Sequence, residues 1–322
     1  MDFNPNLLLH AAPAMVLLSL AELLILKHDD HPKETRKNFT TSIVISFVFL
    51  AVTVPLKTVP FMLNSWLYQF RLFELEHTAI WVVGLAIIYD DFTCYWSHRM
   101  THSVRFYWAS HLVHHSSETY NFAAGGRQSW VGIYSGSFLL WCWIPLMGIS
   151  PELMIWVKSV STIYQFCLHT EIIRKCPGWF EFIFNTPSHH RVHHSRELRN
   201  LDMNNGAMLI IWDRIFGTFV PEEKETEYGL CKEIKNPNPV NINFNEFRDM
   251  FNDLKKSPKL YHKFMYLFGP PGWSHDGSTK TAKQLRKELV APKTKLVHIR
   301  KMNNDPAEFH RNKRIEVAGV RV

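Results

Sequence analysis

The chain has 322 residues, a net charge of +7, five cysteines, 11 Trp and 23 Phe, and a pI near 9.1. That length allows one or two domains. The cysteines (Cys94, Cys142, Cys167, Cys176 and Cys231) form no CxxC pair, which excludes a disulfide-rich secreted protein and a cysteine-based metal site. The basic charge sits in short loops and a C-terminal tail beside apolar runs. It fits an anionic membrane surface and argues against nucleic acid as the partner.

Residues 1–6, MDFNPN, lack the basic start of a cleavable signal peptide. Residues 7–26 are apolar over about the twenty residues that a membrane span needs. The loop 27–38 is strongly polar, and a second span is expected from about Thr41 to Leu63, interrupted by Pro55, Lys57 and Pro60. Residues 64–77 read as an interfacial loop carrying Trp66, Tyr68 and Phe70. A third span starts near Thr78 and ends in the first histidine pair, His98 and His102, with Asp90 and Asp91 inside it. Asp91, Tyr95, His98 and His102 share one helical face, so Asp91 is expected to accept a hydrogen bond from a ligand imidazole. Two further spans, about 130–148 and 151–170, are joined by the short MGISPE and predict an antiparallel hairpin. The second of them returns His169 and Glu171 to the side of the histidines. The segment LIIWDRIFGTF is too short to span, and residues from 275 on, with twelve Lys/Arg against five Asp/Glu, read as a solvated tail.

Ten of the eighteen histidines lie between 98 and 194. They form an HxxxH pair (His98, His102) and two HxxHH triplets (His111, His114, His115 and His190, His193, His194), with His189 just ahead of the last. Residues three and four apart project from one face of a helix, so each set aims imidazoles at one point. Three sets supply about eight nitrogens, more than the roughly four that one zinc takes, and suit two metal ions. Lys27, Lys33, Arg36, Lys37, Arg99, Arg105, Arg127, Arg174 and Lys175 flank the box side of the spans. The positive-inside rule therefore places the N-terminus outside and the boxes in the cytosol. The expected fold class is all-α: a multi-pass integral membrane helical bundle of about 4–5 spans with a cytosolic histidine-box cap housing a dimetal site. Its expected parts are 1–77 (N-terminal spans), 78–222 (the three boxes) and 223–322 (a polar, basic, cytosolic tail).

A histidine-rich, carboxylate-poor site suits Fe(II) or Zn(II), and two irons at the mouth of a bundle fit O2-dependent oxidation of a membrane lipid. Hydroxylation and desaturation use the same site. A metal-handling membrane protein is the alternative from another class, although its ionisable groups would line the spans rather than gather at one end.

HRMTH, HLVHH and HRVHH, in this order, resemble the fatty acid hydroxylase/sterol desaturase superfamily of membrane diiron oxygenases over roughly 78–222. D-x3-Y-W-x-H-R, R-Q-S-W at 127–130, TPSHHRVHH and the string from Asn205 to Phe219 carry the likeness further. HHSSETYN, CLHTE, IIWDRIFGTF and GPPGWS resemble the alkylglycerol monooxygenase branch. The resemblance implies a lipid hydroxylase with two iron ions, ligated by His98, His102, His111, His114, His115, His169, His190, His193 and His194. His189 is left open between ligand and neighbour. Asp91, Glu171 and Asp202 are the implied carboxylates beside the ligands. The resemblance further implies O2, a membrane lipid, and an electron donor that is tetrahydrobiopterin or an external electron-transfer protein. The implied location is a bacterial inner membrane or the endoplasmic reticulum. Two positions depart from the pattern: Ser103 stands where animal members of the branch carry Glu, and Asn205 where the family form has tyrosine.

Overall fold

The structure is a computed structural model. It describes residues 3–25, 32–224 and 226–290. Part of the charged loop expected at 27–38 and the tail beyond 290 lie outside the described residues. Among the described residues there are helices, turns and two isolated β-bridges, Phe184 to Leu209 and Ser195 to Tyr228, with no strand.

Helix α1 (Leu7–Ile25) is built inside out. Its buried residues are Ser19 and Glu22, whereas Leu17, Leu18, Leu20 and Leu24 are exposed. Leucines outside and a carboxylate inside suit an apolar surrounding, the reverse of the arrangement favoured in water. Glu22 is held by Phe122 N (2.6 Å) and the Thr170 hydroxyl (2.5 Å), so the buried carboxylate is hydrogen-bonded rather than orphaned. Helix α2 (Pro32–Leu56) runs into α3 (Thr58–Tyr68) across Lys57, whose φ of −63° and ψ of −17° stay helical. Two segments, Leu7–Ile25 and Thr35–Tyr68, are long and apolar enough to cross a membrane. At a rise of 1.5 Å per residue the second is about 50 Å long, more than the roughly 30 Å of a hydrocarbon core. The expected second span is therefore longer at both ends than its apolar run, because the polar 32–40 stretch continues the same helix and the chain turns only after Tyr68.

Helix α4 (Ile80–Ser103) is apolar in its first half and ends in the first histidine pair. Val82, Val83 and Ala86 pack there against Ile144, Ile149, Leu153 and Val157. After a single extended residue, Val104, comes α5 (Arg105–His115), which carries the second box. A short α6 (Phe122–Gly125), capped by the Asn121 side chain, follows. The span expected at 130–148 is not a continuous helix. It consists of two 3-10 turns (Gly132–Ser135 and Ser137–Trp141) and α7 (Trp143–Leu146). Gly136, at φ 74°, separates the turns, a conformation open to glycine and costly for other residues. The expected hairpin is thus one irregular leg against α8 (Pro151–Cys167), whose start is set by Ser150 as N-cap and Pro151 in the first turn.

Short helices α9 (Gly178–Ile183), α10 (Pro187–His193, the third box) and α11 (Ile211–Phe216) come next. Then α12 (Pro239–Lys256), α13 (Leu260–Phe268) and α14 (Ala282–Val290) close the described chain. The first two clasp α5. The guanidinium of Arg105, buried, pairs with Glu246 (2.7 Å) and Asp253 (2.8 Å), and Arg105 N donates to Gly269 O. Ala282 and Leu285 of α14 pack on Leu201. The tail expected from 275 on is therefore folded and packed as far as residue 290.

Candidate metal centre

Three local devices bring the histidines together. The last turn of α4 is joined to the first turn of α5 by the single residue Val104, so the two helices fold back and their histidines face each other. Pro187 starts α10 in its first turn, and every residue of that short helix is buried. The third device is the loop between α8 and α9, which the side chain of Arg191 ties down. That guanidinium donates to the carbonyls of Thr170 (3.0 Å), Ile173 (2.8 Å) and Arg174, and pairs with Glu222. It thereby holds His169 in place. Gly125 leaves room for that imidazole, because a Cβ there would lie 2.8 Å from His169 Cγ.

All nine expected histidines fall into two groups, each with its ligand atoms within 4.8 Å of one another. The first group is His98, His102, His111, His115 and His193, and the second is His114, His169, His190 and His194. The boxes are interleaved between the groups. The first and last members of each triplet share a group, and the middle member belongs to the other. His189 joins neither group; its ring meets Phe219 at 5.4 Å and its Nδ1 has no partner among the described residues.

The far nitrogen of four of the nine rings is held by the backbone. Nδ1 of His98 lies 3.0 Å from Asn205 O, that of His114 3.2 Å from Arg127 O, that of His169 2.8 Å from Gln165 O, and that of His193 2.9 Å from Met203 O. A carbonyl oxygen only accepts, so each Nδ1 carries the proton and each Nε2 presents a bare lone pair. Yet His114 Nε2 and His169 Nε2 sit 3.2 Å apart. Two bare lone pairs make no hydrogen bond; a cation between them satisfies both. His102 Nε2 and His193 Nε2 are likewise buried without a hydrogen-bond partner. Each such atom costs about 1–3 kcal/mol unless something meets it. Burial, reinforced by neighbouring imidazoles, holds His111, His114, His115, His190, His193 and His194 well below the usual histidine value. They are neutral at pH 7, which is the ligating form. This donor set fits two metal ions: neutral imidazoles, converging lone pairs, and back sides fixed at His98, His114, His169 and His193.

The carboxylates are placed differently from one another. Asp202 faces the His102 Nδ1 at 3.5 Å. Among the described residues Asp91 meets no histidine. It accepts from Met208 N (2.7 Å), Leu209 N (3.2 Å) and Trp212 Nε1 (2.9 Å), so it fixes the 208–212 chain rather than an imidazole. The expected contact fails because the side chain leaves α4 towards that neighbouring segment. Glu171 accepts from the Tyr228 hydroxyl at 3.0 Å. The Tyr228 ring stacks on Tyr120 (4.9 Å), which stacks in turn on His169 (5.7 Å).

Several site-building residues have no signal in the histidine spacing. Asp202 and Asn204 adopt positive φ (59° and 56°), which short polar side chains tolerate. Their loop brings the Met203 and Asn205 carbonyls onto His193 and His98. Asn205 serves by its backbone, which any residue supplies, so the departure there leaves the anchor intact. Asp213 accepts from Asn205 N, Gly206 N and the Thr218 hydroxyl, and burial pushes its carboxyl up to about 6. A lone aspartate in an apolar string was the available clue. Arg127, fully buried, links Ser42, Asn38 and Ser116 while its carbonyl holds His114. Ser103 hydrogen-bonds back to Arg99 O.

His98 and His111, both half-buried, line a cavity of about 170 Å³ with Cys94, Ser97, Trp141 and Lys158. The four members of the second group are all buried.

Residues 83–218 match the fatty acid hydroxylase family model. The chain is 39% identical to human alkylglycerol monooxygenase over 214 residues, which is 66% of this chain and 47% of that protein. It is 33% identical to the alkylglycerol monooxygenase of Danio rerio over 275 residues, 84% of this chain and 60% of that protein. It is 28% identical to an ornithine lipid hydroxylase of Rhizobium tropici over 154 residues, 47% of this chain and 46% of that protein. The chain thus spans about half the length of the curated relatives it matches. No solved structure matches it. Residues 83–218 thus match the fatty acid hydroxylase family, and the chain is similar to alkylglycerol monooxygenases over a longer stretch.

Proposed function

We propose that the chain is an iron-dependent, O2-using membrane monooxygenase that hydroxylates a lipid. The observation that carries this reading is the pair of neutral imidazole groups, five and four, whose ring nitrogens converge, with the back nitrogens of His98, His114, His169 and His193 fixed by backbone carbonyls. His98, His102, His111, His115 and His193 would hold one iron, and His114, His169, His190 and His194 the other. Bound there, two irons would supply reduction of O2 and oxidation of a C–H bond. The protein's own part is to hold nine rings rigidly, keep them neutral, and present the His98–His111 wall to a small cavity. Asp202 would orient His102. Glu171 would act at one remove, through Tyr228 and Tyr120. Asp91 is a positioning residue for the 208–212 segment.

The inside-out α1 and the Thr35–Tyr68 segment support insertion in a membrane, the boxes facing the cytosol by their basic flanks. Residues 1–77 would supply the anchor, 78–222 the site, and the helices after 223 the clasp around α5. Electrons would come from a reduced pterin or an electron-transfer protein, and the alkylglycerol monooxygenase likeness makes an ether or acyl lipid the expected substrate class.

The test is elemental analysis of the detergent-purified protein together with a search for lipid products from labelled O2. The reading expects about two irons per chain and a product carrying one labelled oxygen. Loss of two hydrogens instead would mean desaturation. Lipid oxidation that survives His98→Ala, His114→Ala and His193→Ala would sink the proposal.

A further inference from the structure

A second, larger cavity of about 560 Å³ adjoins the one at His98. Its size lies in the range of about 300–1,000 Å³ typical of small-molecule sites. The walls are mainly apolar, with Leu8, Phe49, Phe61, Phe138, Met154 and Ile155 among them. Trp141 and Lys158 line both cavities, so they form the partition between the apolar space and the His98–His111 wall.

The charges in this apolar space do not balance. Its ionisable lining residues are Lys57, Asp90 and Lys158. Asp90 is committed: it accepts from Trp141 Nε1 (2.7 Å) and lies 3.7 Å from the Lys158 ammonium. Lys158 also donates to Cys94 Sγ (3.0 Å) and sits over the Trp141 ring at 4.2 Å. Lys57 makes no ion pair among the described residues. It stands on one helical face with Thr53, Pro60 and Asn64, spaced four, three and four residues apart, and all four line the cavity. Thr53 is buried, and among the described residues neither its hydroxyl nor Asn64 Oδ1 has a partner. Two positive charges, one negative charge and two unmet hydrogen-bonding groups therefore face one apolar space. Lys57 is exposed at the edge of this space; within the proposed membrane span, a lysine without an ion pair beside unmet polar groups is costly and points to a ligand.

We infer that this cavity holds a single-chain lipid whose headgroup carries an anionic oxygen. The alkyl chain lies along the phenylalanine-lined wall. The anion sits between Lys57 and Lys158, with the Thr53 hydroxyl donating to it. This deepens the proposed function by naming the headgroup class of the substrate, and it rests on that reading only for the word substrate. The charge excess selects against a neutral glycerol ether of the same chain length.

The experiment is equilibrium binding of three C16 probes to the purified, iron-counted protein in mixed micelles. The probes are hexadecyl phosphate, palmitate and 1-O-hexadecylglycerol, compared at equal mole fraction. At least one of the two anions should bind about tenfold or more tighter than the neutral ether, one order of magnitude being the usual worth of a charge-assisted contact. Phosphate-only or carboxylate-only preference both support the site and name its anion. Lys57→Met should remove the preference while leaving neutral-ether binding within about twofold, and Lys57→Arg should retain it. Thr53→Val, which keeps shape and removes the hydroxyl, should weaken anion binding alone. Equal binding of all three probes by the unmodified protein would overturn the inference. So would a preference that persists in a folded Lys57→Met protein; if that variant unfolds, persistence in Thr53→Val counts the same way. A labelled product without anion selectivity would leave the oxygenase standing and remove the anchor. Selectivity without iron or product would do the reverse.

Discussion

The two histidine groups share ligand chemistry and differ in surroundings. The first, with five members, includes half-buried His98 and His111 and opens on a cavity. The second, with four members, is buried throughout and backed by stacked Tyr120 and Tyr228. The same spacing in two boxes thus builds one wall that a ligand reaches and one that is sealed. The difference arises because the middle member of each HxxHH points away from its neighbours, so one helix serves both groups.

The largest expected effects separate the groups by metal count. His111→Ala and His190→Ala should each lower iron from about two per chain towards one, with product formation falling more than about 100-fold. Elemental analysis and labelled-product counts check both. Equal loss of both metals in either variant would show that the groups are one coupled site rather than two.

Arg191→Met tests the sealed group through its scaffold. It leaves Glu222 without the guanidinium and frees the loop that carries His169, and it should cost about 3–5 kcal/mol of stability. Denaturant unfolding measures this; a change under 1 kcal/mol, small on the scale of buried ion pairs, would contradict the assigned role. Asp202→Ala tests the open group. It should reduce iron affinity or activity by roughly 10–100-fold and spare the second metal.

Acid treatment addresses both groups together. The folded protein holds His111, His114, His115, His190, His193 and His194 well below the ordinary value near 6.5. Below about pH 6.5 the unfolded chain takes up protons that the fold refuses, so stability is full above that value and falls as the pH drops. Iron-stripped protein should therefore show a thermal midpoint that declines from pH 7 to pH 5. A midpoint constant over that range would contradict the burial of these rings. The smallest effect belongs to Tyr228→Phe, which removes the bond to Glu171 and keeps the ring stack. It should cost about 1 kcal/mol and leave the iron count unchanged.

Helical periodicity made eight of the nine candidate ligands legible, because i, i+3 and i+4 spacing is a local property of one helix; His169, outside the boxes, came from the family resemblance. The same local logic located the helices of the first, second, third and fifth expected spans. It failed at 130–148, where composition is apolar but Gly132 and Gly136 interrupt the helix. It also failed for the segment after 275, whose charge suggested solvation while Ala282 and Leu285 pack on Leu201. Asp91 shares a helical face with His98, yet the amides of Met208 and Leu209 and the Trp212 indole claim it first.

By itself, then, the sequence determined eight of the side chains that can ligate and that they come in helical sets, since both follow from residue type and spacing. Tertiary structure alone decided how the nine divide into five and four, because that division depends on helices meeting across the Val104 break and the Arg191-held loop. It also decided the anchors. Those of His98, His114, His169 and His193 are backbone carbonyls, present in every residue, and only packing aims four of them at imidazoles.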